Sequence, residues 1–174
     1  MRQLLALVLL SSFCYKASAQ TDPEFPKEFI MHLRLHNGMV TNFNRFSPDQ
    51  YVGGIQLIPQ YTFIVHKLRG GIIADALYAG KKFQAAFGPT VSLKLRSIHA
   101  GPLGSAANIH LSFDYLLGTQ KEKLLGGGIN ADLLNWIIIG LSAHRDYSLN
   151  TWWFQNTIAV RISKLKKKKG PLED

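Results

Sequence analysis

The chain has 174 residues, of which 47% are hydrophobic, 18% charged and 11% aromatic, with a formal net charge of +9. That length predicts one domain, and the apolar content excludes a disordered chain. The single cysteine, Cys14, excludes a disulfide scaffold and a cysteine-based zinc site.

Residues 1–19 read as a secretory signal peptide. Arg2 supplies the positive start, Leu4–Leu10 the apolar run, and Ala17-Ser18-Ala19 a small-x-small cleavage site before Gln20. The apolar run is too short to span a bilayer as a helix. Cleavage leaves 155 residues, charge +7 and no cysteine. Residues 20–27 form a polar lead, residues 28–163 the folded body, and residues 164–174 a basic tail carrying five lysines. Residues 20–163 together are only +4, so the basic balance is largely a tail effect. No basic stripe with interleaved aromatics appears, and export removes nucleic acid as a partner.

From Phe29 onward the hydrophobic period is two, which predicts strands. The first strand runs Phe29–His36, with Phe29, Met31, Leu33 and Leu35 opposite His32, Arg34 and His36. The second, Ile55–Val65, sets Ile55, Leu57, Tyr61 and Phe63 against Gln56, Gln60 and Thr62. The third, Gly70–Gly80, is apolar on both faces except at Asp75, which leaves its orientation open. The fourth, Val91–Arg96, opposes Val91, Leu93 and Leu95 to Ser92, Lys94 and Arg96. The fifth, Asn108–Leu117, opposes Ile109, Leu111, Phe113 and Tyr115 to Asn108, His110, Ser112 and Asp114. Three more follow: Leu124–Leu133 with Asn130 and Asp132 on its polar face, Trp136–Tyr147 with Ser142 and His144, and Thr151–Ile162 with Gln155, Thr157 and Arg161.

Turn signals separate them at Asn37-Gly38, Ser47-Pro48-Asp49, Arg69-Gly70-Gly71, Gly101-Pro102, Gly118 and Asp146–Asn150. Pro59 and Pro89 fall inside strands and are expected to mark bulges or breaks, because proline removes a ladder hydrogen bond. Eight strands of this kind predict an all-β fold, an eight-stranded antiparallel up-and-down barrel.

Such a barrel has two polarities. A soluble exterior carries about 25–35% charged residues. Here the polar faces are mostly Ser, Thr, Asn, Gln, Gly and His, which suit a confined lumen. The other face is bulky and apolar, with Tyr61, Phe63, Tyr115, Trp136, Tyr147, Trp152 and Phe154 near strand ends as candidate interface girdles. The expected fold is therefore a transmembrane β-barrel.

On the signal peptide, strand count and alternation, the chain resembles the small eight-stranded outer-membrane β-barrel proteins of Gram-negative bacteria. The Ser18-Ala19-Gln20 ending resembles exported proteins of Bacteroidota-type bacteria. Such barrels usually finish on an aromatic residue, whereas this one closes near Val160-Arg161-Ile162 and continues into lysines. The resemblance implies residence in the outer membrane with both termini periplasmic, membrane lipid as a partner, and other envelope proteins as candidate partners.

No catalytic constellation stands out. His110, Ser112 and Asp114 share one strand face, but same-face neighbours are about 6.6–7 Å apart, too far for a relay without cross-strand help. His32 and His36 are about 13 Å apart along a strand, too far to share one metal ion. Gly126-Gly127-Gly128 lacks the lysine and helix of a phosphate loop and is expected to bend the strand or let it coil tightly. No cofactor is expected. The polar residues Arg34, Lys94, Arg96, His110, Asp114, Asn130, Asp132, His144 and Arg161 are read instead as a structural lumen network. With them come His32, Gln56, Gln60 and Gln155, and less firmly Glu28 and Asp75. The function expected is a non-catalytic structural or interaction module, such as an accessory subunit of a larger envelope complex. A lipid-modifying enzyme and a secreted lipocalin-like binding barrel are the alternatives.

Overall fold

A computed structural model describes residues 27–43, 48–99, 105–133 and 136–162. The signal peptide, the Gly101-Pro102 turn and the basic tail lie outside them. Alternation of apolar and polar side chains produces eight strands: β1 Phe29–Thr41, β2 Gln50–Ile64, β3 Leu68–Ala79, β4 Lys82–His99, β5 Ser105–Gly118, β6 Lys123–Leu133, β7 Ile137–Asp146 and β8 Thr151–Arg161. Each pairs antiparallel with the next, and β8 pairs back onto β1, closing the barrel in the order β1 to β8.

The register fixes the barrel's geometry. Followed through successive partners from His32 around all eight strands, the path returns to β1 level with position 42, ten residues along. Eight strands with that stagger tilt by about 40° and enclose a radius of about 8 Å. An interior of that size is filled by side chains.

Several sequence expectations need correction. Asn37-Gly38 is not a turn. Both residues continue β1, opposite Gly53 and Val52 on β2 and Asn156 and Gln155 on β8. Arg69-Gly70-Gly71 likewise lies inside β3, and the connection from β2 falls at Val65–Lys67. The β3–β4 connection is a two-residue turn at Gly80 and Lys81, both at positive φ (56° and 65°). That matches the twist of the flanking strands, and the lysine hides it from sequence reading.

Neither proline marks a bulge or break. Pro59 stays paired with Met31, and Pro89 with Ile72. The register on their other sides is the same above and below them. In an antiparallel sheet a residue's N–H and C=O face one neighbour at a time, so each proline loses a bond on one side only. The irregularities lie elsewhere, at Thr62/Ile64, Lys94/Arg96 and Ile98/His99. The glycine run of β6 keeps an unbroken register with β5 and β7. A Cβ at Gly126 or Gly127 would collide with the backbone carbonyls of Ala143 and Ser112. Close strand approach explains that run.

The wall is polar inside and apolar outside. Buried positions alternate along the strands with exposed Leu33, Leu35, Ile55, Leu57, Ile72, Val91, Leu93, Phe113, Ile129, Leu141, Ile158 and Val160. The orientation of β3 resolves with Ile73, Asp75 and Leu77 inside and Ile72 and Tyr78 outside.

Candidate functional site: the barrel lumen

The lumen has two levels. At the end holding the β1–β2, β3–β4, β5–β6 and β7–β8 connections it is packed with apolar groups. Val52, Leu77, Ala79, Ala86, Leu116, Leu124 and Trp153 form one buried cluster with Val40 against it, and Ile58 and Ile73 extend that cluster down to mid-lumen. The first seven occupy inward positions near strand ends, so they cork the barrel from within. Trp153 is 3% exposed, and its indole N–H donates to Thr151 Oγ1 at 3.2 Å.

Below the cork most inward side chains are polar, with Ile30, Ile58, Ile73 and Ile138 buried among them, and the hydrogen bonds run across strands. One chain joins β1, β2 and β3. Arg34 Nη1 donates to Gln56 Oε1 at 3.3 Å, and Gln56 Nε2 donates to Asp75 Oδ2 at 2.9 Å. His36 Nε2 meets Asp75 Oδ1 at 3.0 Å. On the opposite wall Asp114 accepts from Thr90 Oγ1 at 2.5 Å and meets His144 Nε2 at 3.3 Å, joining β4, β5 and β7. Asn130 Nδ2 donates to Ser112 Oγ at 3.2 Å, and Gln60 Nε2 to Ser92 Oγ at 3.2 Å. At the termini end Arg161 bonds Glu28 across the β1–β8 seam. Hydrogen-bonded acids and bases of this kind offset the cost of withdrawing charges from water.

The structure therefore places Arg34, His110, Asp114, Asn130, Asp132, His144 and Arg161 inside and buried. Lys94 is half-buried at the termini end, opposite His110 in register. Arg96 does not belong. A bulge after Lys94 sets Arg96 opposite Ile109, an outward position, and its side chain is exposed. Period-two reading could not see this, because one extra residue moves every later side chain to the other face.

Sequence reasoning missed three charged lumen groups, and the hydroxyl of Thr90. Arg69 is 3% exposed inside β3, and Arg-Gly-Gly had read as a turn. Asp146 is fully buried, and its Oδ1 accepts the amides of Ser148 and Leu149 at 2.8 and 3.2 Å, tying down the β7–β8 turn. Glu122 does the same for the β5–β6 turn, accepting from the Gln120 amide at 2.8 Å. Asp followed within four residues by Ser and Asn was the visible signal for the Asp146 turn.

The two carboxylate–imidazole pairs do not amount to a hydrolase site. The hydroxyl beside Asp114 is Thr90, and it donates to the carboxylate rather than to His144. Both pairs lie beneath the cork, and His36 and His144 are each 3% exposed. His110, Ser112 and Asp114 stay separate in space: Ser112 bonds Asn130 and Asp114 bonds His144. Among the described residues no group of three His, Cys, Asp or Glu is placed to hold a metal ion.

Outside, aromatic side chains gather at two levels. Phe29, Tyr61, Phe63 and Trp136 lie exposed at the termini end, and Tyr51, Tyr78, Phe83 and Tyr147 at the corked end. Trp152 stacks on Phe154, and Arg145 lies over the Trp152 ring, 5.2 Å from its centroid. From register and tilt, the two levels stand about 25 Å apart along the barrel axis. Between them an apolar trough of about 1270 Å³ runs along the outer wall, where Gly127 and Ala143 sit low between Phe113, Leu125, Leu141 and Phe154. No protein-family model matches the chain, and no curated protein matches it.

Proposed function

We propose that this protein is an outer-membrane β-barrel that spans the bilayer as a corked, non-conducting wall and serves as a structural or interaction module. One observation carries the reading, the inverted polarity of the barrel. Arginine, histidine and aspartate are buried in the lumen, while leucine, isoleucine and phenylalanine face outward on every strand. In water that arrangement exposes an apolar surface around the whole barrel; in lipid it is the favourable one. The aromatic levels, about 25 Å apart, match the height of the apolar band of such barrels. Closure supports it too, since a barrel leaves no unpaired backbone edge in hydrocarbon.

An even strand number puts both ends of the chain on one side. Entry of an exported N-terminus from the periplasm assigns that side to the periplasm, with the lysine tail beside it. The cork and the paired lumen charges argue against solute passage, and the buried imidazoles argue against chemistry on an external substrate. A role through contact with lipid or with other envelope proteins is what remains.

The test is expression with the native leader in a Gram-negative host. The protein should fractionate with outer membranes, require detergent for extraction, and migrate differently on gels before and after boiling. Protease added to intact cells should leave the lysine tail intact. Recovery as a soluble periplasmic protein would defeat the proposal.

A further inference from the structure

Among the described strand residues that face outward between the two aromatic levels, two carry a carboxamide, Asn37 on β1 and Asn156 on β8; the hydroxyl-bearing Tyr115 stands at the same height on β5, half a turn away. The two asparagines are direct partners across the seam that closes the barrel. Both are exposed. By register and tilt they stand within about 5 Å of the middle of the belt. A third polar group joins them. Gly53 is the β2 partner of Asn37, and a Cβ on Gly53 would strike the hydroxyl of Tyr51. The Tyr51 ring thus folds down toward the belt over Gly53 and sets its hydroxyl next to the Asn37 position. An interfacial tyrosine ordinarily turns its hydroxyl toward water.

We propose that this Tyr51–Asn37–Asn156 patch is the contact surface of a homodimer, a second copy of the chain docking on the β1–β8 seam. The proposal rests on the membrane placement above. At that depth acyl chains offer no hydrogen-bond partner, and an unsatisfied amide in hydrocarbon is costly. A carboxamide is at once donor and acceptor. Two copies related by a two-fold axis along the membrane normal bring the same row face to face, so each amide meets its own kind. An isologous contact requires that self-complementarity, and interhelical amide bonding shows that such groups drive association within membranes. Leu35 and Ile158, also cross-strand partners, lie one step toward the periplasmic side of the asparagines, and Met39 and Phe154 one step above. They provide the apolar surround that keeps lipid away from the amides.

The experiment uses the full chain in outer membranes. With Cys14 removed as Cys14→Ser, Leu35→Cys or Met39→Cys places one thiol beside the patch and leaves both amides intact. Phe113→Cys on β5, half a turn around the barrel, is the control. A short bis-maleimide should convert the first two to a species of twice the monomer mass containing only this chain, and leave the control monomeric. Asn37→Leu/Asn156→Leu in the same backgrounds should reduce that species at least tenfold while heat-modifiable mobility, which reports the folded barrel, stays unchanged. Three results overturn the dimer: a crosslinked species containing a different protein, equal crosslinking at Phe113→Cys, or a monomer throughout in a correctly inserted barrel. Failure to reach the membrane at all would strike the placement, not the patch, so the two readings fail separately.

Discussion

Asp75 is the most informative lumen residue to change. Its carboxylate is 5% exposed, takes the Gln56 amide at 2.9 Å and meets the His36 imidazole at 3.0 Å. Through Gln56 it also anchors Arg34, itself 8% exposed. Asp75→Ala leaves the Gln56 donor and the imidazole without their acceptor and removes the negative charge from a chain that contains a buried guanidinium. Each orphaned buried donor costs about 1–3 kcal/mol, and removing one member of a buried charge pair about 3–5 kcal/mol. The expected loss is therefore about 3–5 kcal/mol. Asp75→Asn keeps an acceptor for Gln56 and offers an N–H toward the imidazole, so about 1–2 kcal/mol is expected from the lost charge. Urea unfolding in detergent micelles, followed by the fluorescence of the three tryptophans, measures both. With a slope of about 1–3 kcal/mol/M, the alanine variant should unfold at least about 1 M earlier than the parent. If both variants unfold within about 0.5 kcal/mol of the parent, the cross-strand chain does not hold the lumen together.

Three further outcomes follow from the same architecture. Leu141→Arg, on the outer face near the middle of the belt, should cost about 2–4 kcal/mol in a bilayer, while Arg145→Leu at the aromatic level should cost less than about 1 kcal/mol; refolding titrations in lipid vesicles compare them. Gly127→Val should impair folding yield by driving a side chain into the Ser112 carbonyl, and Ala143→Val, outward on the neighbouring strand, should be tolerated; the fraction migrating as folded barrel on unboiled gels reads this. Trp153→Ala, which removes the largest member of the cork, should cost about 3–5 kcal/mol, and planar-bilayer recordings should show no porin-sized channel in the parent protein.

The strand count and the sidedness of the wall were legible in the residues, because a half-buried strand imprints a period of two. Asn108–Leu117 is the clearest case, with Ile109, Leu111 and Phe113 on one side and His110, Ser112 and Asp114 on the other. The polar composition of the second side, mostly small and hydrogen-bonding with a few charges of both signs, pointed to an interior. Which polar groups would meet was not legible. His36 finds Asp75 two strands away, and Asp114 finds His144 likewise; such partners depend on the barrel's stagger, a property of all eight registers together.

Local signals also lost to tertiary context. Asn37-Gly38 has turn chemistry, yet partners on both sides hold it extended in β1. Pro59 and Pro89 survive within strands because each faces its missing bond toward a single neighbour. The cork was invisible because its members, such as Leu77, Leu116 and Leu124, lie where both strand faces are apolar, so alternation cannot say which side is in. The bulge after Lys94 is the sharpest example. The sequence alone determines that Val91–Arg96 alternates. Only pairing with β5 decides that one extra residue is accommodated there, and that residue turns Arg96 from the lumen to the outside.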